Sequence, residues 1–274
     1  MFDFGDDEIF FLAMAVLASV LGFITYYRPL ISVARLGKSP LRPRILTFLP
    51  LVAMVPTYVV LTHWADPQVV GHGNYIALFL IGGLAWFFAG TWIIQCLGIS
   101  LRDDVIERDN SAALIAACGF LIGIGIVYAA SNIGTGPTIW TTLVPALVAT
   151  GAFILILMGM GLFAISVMEA ITIDRDIASA VRWAATALAC AIVLGYAASG
   201  NWVSYRQTWI DLALDGWPAA LLAVLAGLVH TVLRPTPDRP RPDVFTSGII
   251  PALLIVLAAV ITVVSIQILS RHTP

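Results

Sequence analysis

Residues 107–131 read ERDNSAALIAACGFLIGIGIVYAAS, and residues 174–199 read DRDIASAVRWAATALACAIVLGYAAS. Each opens on a charged triplet and continues into a run of about 20 apolar and small residues, the length that carries an α-helix across the hydrocarbon core of a bilayer. Setting Glu107-Arg108-Asp109 on Asp174-Arg175-Asp176 superposes the two stretches at a shift of 67 residues. A one-residue slip then aligns Tyr128 to Ser131 with Tyr196 to Ser199. The shift spans two apolar segments, so the recurring unit is a two-helix hairpin. An even number of crossings makes the two copies parallel rather than inverted.

The rest of the chain has the same character. Of its 274 residues 60% are apolar and 11% charged, with a mean hydropathy of +0.96, whereas about a quarter of the residues of a soluble domain are charged. Eight segments are long and apolar enough to cross a membrane, near residues 9–26, 45–62, 75–97, 110–130, 141–166, 177–198, 217–233 and 248–268. None alternates like a barrel strand, and backbone amides in lipid must be satisfied within each segment. The expected fold is therefore all-α, a polytopic membrane helical bundle of about eight transmembrane helices built from two-helix hairpin repeats. It divides into an N-terminal transmembrane hairpin (1–74), the tandem repeats (75–133 and 138–200, together 75–200) and a C-terminal transmembrane hairpin (201–274). A weaker echo links the outer hairpins, where Thr25 to Pro29 closes the first span much as Thr231 to Pro235 closes the seventh.

Arginine placement orients the bundle, because short cytoplasmic connections hold an excess of basic residues. The connections after spans 1, 3, 5 and 7 and the adjoining helix ends hold Arg28, Arg35, Lys38, Arg42, Arg44, Arg102, Arg108, Arg175, Arg182, Arg234, Arg239 and Arg241. Only Arg206 and Arg271 fall on the other side. Both termini of this multi-pass protein are expected to be periplasmic, or extracytoplasmic if the host has one membrane. The formal charge of -2 offers no field for nucleic acid, and membrane lipids are the expected contacts. The basic connection over residues 28–44 suits anionic headgroups at about 1 kcal/mol per basic residue.

The run NSAALIAACGFLIGIGI from Asn110 resembles the asparagine-and-alanine then Gly-Phe-Leu-x-Gly signature of the YjfL-like family, bacterial inner-membrane proteins with a twice-spanning domain of unknown function. The resemblance covers roughly residues 75–200 and departs in the second copy, where Ile177 replaces the asparagine and Ala-Thr-Ala the Gly-Phe-Leu. It implies envelope maintenance rather than metabolism and adds no reaction.

Asp109 and Asp176 stand where spans begin and read as helix N-caps. A second reading gathers Glu107, Arg108, Asp109 and Asn110 with Asp174, Arg175, Asp176 and Arg182 into a charged cytoplasmic mouth. Helical spacing puts Arg175 and Asp174 on the face of Arg182, which then snorkels or pairs there. Gly119 and Gly123 form GxxxG and, with Gly125, Gly159 and Gly161, read as helix-packing positions that let backbones approach closely. His63, His72 and Asp66 share a loop without ligand spacing, and His230 finds no partner by pattern. Neither a metal nor another cofactor is expected, and no P-loop, GxSxG or HExxH appears.

These features suggest a protein without enzymatic activity that assembles, with itself as a homo-oligomer or as a subunit of a larger membrane complex. The alternative is an ion channel or small-solute transporter whose pathway between hairpins is lined by Arg182, Gln95 and the triplet carboxylates.

Overall fold

The computed structural model of the chain describes residues 4–34, 41–164, 166–236 and 242–272. Arg35, Lys38, Arg239 and Arg241 of the expected basic connections lie outside the described residues. Among the described residues there are helices and turns and no strand. Helices α1 (Asp6–Ala34), α2 (Leu41–His63), α3 (Gly73–Cys96) and α4 (Ser111–Ala130) form the first half, with a π-helical turn, Leu101–Glu107, between α3 and α4. Helices α5 (Trp140–Phe163), α6 (Ser166–Thr172), α7 (Ile177–Ala198), α8 (Tyr205–Leu233) and α9 (Ile250–His272) follow, the last preceded by a π-helical turn, Phe245–Ile249. Eight helices are long and apolar enough to cross a membrane, and the chain is a multi-pass membrane protein with an all-α bundle fold.

Helices α4 and α7 make the centre: 78% of the apolar window of each is buried, against 17% in α1 and 11% in the last span. Their composition explains this position. Both are rich in alanine and glycine, so their backbones can close without interposed side chains. A Cβ on Gly119 would lie 2.5 Å from the Cβ of Ala184, one on Gly123 3.4 Å from the Cβ of Ala191, and one on Gly195 2.9 Å from the Cβ of Ala130. The contacts climb both helices together, so α4 and α7 run parallel. Phe120 fills the remaining space, stacked on Phe153 of α5 at 5.4 Å and on Trp183 of α7 at 6.4 Å between ring centroids. On the opposite side of α4, Gly125 admits α2, where the carbonyl oxygen of Ala53 lies 2.5 Å from the position a Cβ would take. Around this pair α1 packs on α3, α2 on α4, α5 on α7 and α8, and α9 on α7 and α8.

Several spans differ from their expected limits. The seventh begins at Tyr205, twelve residues early, because Ser204 caps it through the Gln207 N–H at 3.1 Å and Gln207 bonds Asp211 at 2.6 Å. At 1.5 Å per residue this helix is about 43 Å long, more than the hydrocarbon needs, so its first turns with Asp211 project beyond it. The first span continues through Pro29 to Ala34. The fifth stops at Phe163, where Ala164 breaks the helix before α6.

Local geometry recurs 66 residues apart at both ends of α4 and α7. The Arg108 N–H donates to the Asp103 carbonyl at 2.9 Å as that of Asp174 does to Glu169 at 3.1 Å. The Asn110 N–H donates to Asp104 at 3.1 Å as that of Asp176 does to Ala170 at 2.8 Å. Asp109 and Arg175 both adopt left-handed backbone, with φ of 60° and 56°. At the far end Gly134 and Gly200 have φ of 107° and 119°. The turn needs glycine there, since a Cβ on Gly134 would overlap the Gly200 carbonyl group. Asn110 thus corresponds to Asp176, and Asp109 to Arg175, one residue off the register that the triplets suggest.

Candidate functional site

Among the described residues no ion pair joins the charged triplet before α4 to the one before α7. Asn110, 1% exposed, is the N-cap of α4: its Oδ1 accepts from Ala112 N–H at 2.9 Å and Ala113 N–H at 3.2 Å. Its Nδ2 donates to the Ile171 carbonyl at 2.8 Å, which ties the start of α4 to the end of α6. Asp109, expected as the cap, lies one residue outside, where left-handed backbone turns its carboxylate to Arg42 of α2. Arg42 also donates to Ser111 Oγ at 2.9 Å. Arg108 pairs with Asp104 at 3.1 Å and Arg102 with Glu107 at 2.9 Å, each within its own turn. The Arg102–Glu107 pair is exposed on both sides and contributes about 0–1 kcal/mol, whereas Asp104 in the other pair is buried. Asp174 and Arg175 are exposed, and Asp176 caps α7 by accepting from Ser179 N–H at 2.8 Å.

Asn110 therefore has two duties, and substitutions separate them. Asn110→Ala is expected to cost about 2–4 kcal/mol, the sum of a lost cap and a buried carbonyl left without a donor. Asn110→Asp keeps the cap yet turns a carboxylate toward the Ile171 carbonyl, so it should destabilise although Asp and Asn cap equally well. Thermal unfolding of both variants in nanodiscs checks this, and an unchanged midpoint for Asn110→Asp contradicts the second duty.

Arg182 is turned inward and meets neither Asp174 nor Arg175. It is 2% exposed and joins α7, α8 and the turn before α9. Its Nη1 donates to the Ser247 carbonyl in the turn before α9. Its Nη2 donates to Ser179 Oγ at 3.0 Å and lies 3.3 Å from Nδ1 of His230 on α8. Ser179 Oγ in turn donates to Asp176 Oδ2 at 2.5 Å. A guanidinium has no lone pair to offer, so His230 Nδ1 is the acceptor and the ring proton sits on Nε2. Nε2 faces Ser166 Oγ of α6 at 3.4 Å. The direction of every bond follows: Arg182 donates to α9's turn, α8 and its own helix, and its charge is balanced through Ser179 by Asp176. The pattern of α7 alone cannot reveal His230, since that partner lies 48 residues away on another helix.

The turn presenting Ser247 is itself capped. Asp243 accepts from Thr246 N–H at 2.8 Å and Thr246 Oγ1 at 2.9 Å, and these bonds hold its carboxyl below the usual carboxylate range. The ionised cap is present at neutral pH and is lost as the pH falls through this lowered value.

The expected packing glycines divide. Gly119, Gly123 and Gly125 are buried against α7, α5 and α2 within the chain, whereas nothing lies within 4 Å of a Cβ on Gly159 or Gly161. Gly159 lies on the outward face of α5 with exposed Leu155, Met158 and Leu162, and Gly161, two residues on, is half-buried on another side of the helix, so the two form no seam. Gln95 and Arg182 share no cavity: Gln95 lines a separate cleft among α1, α3 and the turn Leu101–Glu107, its Nε2 donating to the Thr91 carbonyl at 3.2 Å. Among the described residues no group of three or more His, Cys, Asp or Glu side chains is placed to hold a metal ion. No family model, no curated protein and no solved structure matches the chain.

Proposed function

We propose that the chain is an assembling, structural component of a bacterial inner membrane, without enzymatic activity, acting as a homo-oligomer or as a subunit of a larger membrane complex. The observation that carries this reading is the division of the glycines. Gly119 and Gly125 bring α4 against the backbones of α7 and α2, and Gly123 admits the Phe153 ring of α5, so side chains and backbone fill the space at these positions. Gly151, Gly159 and Gly161 sit on α5 with nothing near them in the chain, although glycine inside a helix costs about 1 kcal/mol relative to alanine. Gly151 and Gly159 share the side of α5 that carries exposed Leu155, Met158 and Leu162, and a second chain packed there would account for these two as close-approach positions, while Gly161 lies on another side.

The remaining parts of the proposal have their own support. The hydrogen bonds and backbone angles recurring at 66 residues support tandem two-helix repeats, in keeping with the resemblance to the YjfL-like family and its association with envelope maintenance. Arg28, Arg42, Arg102, Arg108, Arg175 and Arg234 lie at one end of the bundle, which supports a cytoplasmic placement for that end and periplasmic termini. Trp64, Trp140 and Trp209 are exposed at the other end, where amphipathic rings fit the interface. A channel reading loses the shared cavity of Arg182 and Gln95 on which it depended.

Cross-linking in intact membranes tests the contact. With Cys96, Cys118 and Cys190 replaced by alanine, Gly159→Cys should give a disulfide-linked product under mild oxidation, and Gly159→Leu in the parent chain should weaken association without lowering the unfolding midpoint of the monomer. Monomer alone at position 159 sinks the proposed face.

A further inference from the structure

A cleft of about 720 Å³ opens between the C-terminal half of α1, the end of α3 and the turn Leu101–Glu107. This volume is in the range of small-molecule sites, about 300–1,000 Å³. Its walls carry four ionised groups, Arg28, Arg102, Asp103 and Glu107. These charges place the cleft at the membrane–water boundary, since ionised groups facing hydrocarbon are costly. Two are cationic and two anionic, so the lining is neutral overall yet strongly dipolar.

The charges are not all engaged with each other. Arg102 is held by Glu107 at 2.9 Å, whereas no ion pair or hydrogen bond joins the side chain of Arg28 or of Asp103 to another described residue. The Asp103 backbone is fixed: its N–H donates to Ser100 Oγ at 3.0 Å, while Asp104 Oδ2 accepts from Ser100 N–H at 2.8 Å. The α1 wall is fixed as well, by the Tyr26 hydroxyl donating to the Leu46 carbonyl at 2.7 Å. Thr25 and Gln95 add neutral polar groups, and Trp92, 51% exposed, flanks the opening toward the lipid. Among the described residues the site thus offers a guanidinium, Arg28, and a carboxylate, Asp103, that no other side chain engages, beside an apolar, aromatic edge, which matches a ligand with one phosphate, one cationic amine and a hydrocarbon tail.

We propose that this cleft binds the headgroup of a phospholipid bearing a primary amine. The phosphate meets the Arg28 guanidinium, and the ammonium donates to Asp103. The acyl chains leave past Trp92. A primary ammonium offers three donors to a carboxylate, whereas a trimethylammonium offers none, and an anionic headgroup lacks the positive partner that Asp103 calls for. The inference depends on the membrane setting and not on whether the chain assembles.

The test uses the full chain reconstituted in equal amounts of phosphatidylethanolamine, phosphatidylglycerol and phosphatidylcholine, with retained lipid identified by native mass spectrometry. Phosphatidylethanolamine should be enriched over phosphatidylcholine by about tenfold, the factor one charge-assisted hydrogen bond supplies. Asp103→Asn should abolish that preference while phospholipid is still retained, and Arg28→Gln should lower retention of all three. Arg206→Gln, at the opposite end, should change nothing. Both cleft residues are exposed, and unchanged unfolding midpoints would show that the variants fold. Equal retention of the ethanolamine and choline lipids, or a preference for phosphatidylglycerol, overturns the proposal. Water-soluble glycerophosphoethanolamine displacing the lipid at equal concentration also overturns it, because the acyl chains would then contribute nothing.

Discussion

Replacing Arg182 with alanine is expected to destabilise the bundle by about 3–5 kcal/mol, the range for removing one partner of a buried ion-paired network. The cause is what remains. The Ser247 carbonyl and His230 Nδ1 lose their donor, and the Asp176 charge, reached through Ser179, loses its counterion inside the protein. Against a total stability of about 5–15 kcal/mol this is a large fraction, and it should fall first on the C-terminal hairpin. Hydrogen exchange localises the effect: protection should drop in the turn Phe245–Ile249 and in the C-terminal part of α8 before it drops in α4. Arg182→Met combined with His230→Leu should recover part of the loss, because an apolar pair leaves fewer stranded polar groups. An Arg182→Ala variant as stable as the parent would mean that these bonds contribute nothing.

The second large effect belongs to the seam. Gly119→Leu is expected to cost at least about 1–3 kcal/mol, the usual penalty for overpacking, because its Cβ would meet the Cβ of Ala184 at 2.5 Å and the backbone α-carbon of the same residue at 2.6 Å. A backbone atom cannot swing aside, so α4 and α7 must separate along their length. Ala184→Gly should restore only part of the stability, since the clash with the backbone of residue 184 persists. In the monomeric chain Gly159→Ala should instead stabilise by about 0.5–1 kcal/mol, as helix propensity predicts where nothing within the chain is crowded. Unfolding midpoints in nanodiscs compare the three, and equal behaviour at 119 and 159 would contradict the assignment of inward and outward faces.

The spans were legible because the membrane forces each backbone segment to satisfy itself, which leaves long apolar runs in plain view. The start of α8 was not, because Asp211 and Asp215 read as a connection although the helix carries them out of the hydrocarbon. The register of α4 on α7 was one residue off for a related reason. The triplets match by letter, while the fold matches by backbone, with Asp109 and Arg175 in the left-handed turn and Asn110 and Asp176 at the caps. A glycine in an apolar helix does not reveal whether it faces the bundle or the lipid, so Gly159 and Gly161 were grouped with Gly119 and Gly123 although only the latter pair has the spacing of one face. Arg182 was visible as an oddity in an apolar helix, but its partners His230 and Ser247 come from elements with no local pattern in common with it. The lipid cleft was hidden for the same reason, its lining being drawn from α1, α3 and the turn after α3.

The mass of the chain taken directly from native membranes into nanodiscs bears most closely on the assembling role. A multiple of the 29.3 kDa chain, or a fixed ratio of this chain to others, is the expected result. A lone monomer, found in every membrane preparation, would contradict it.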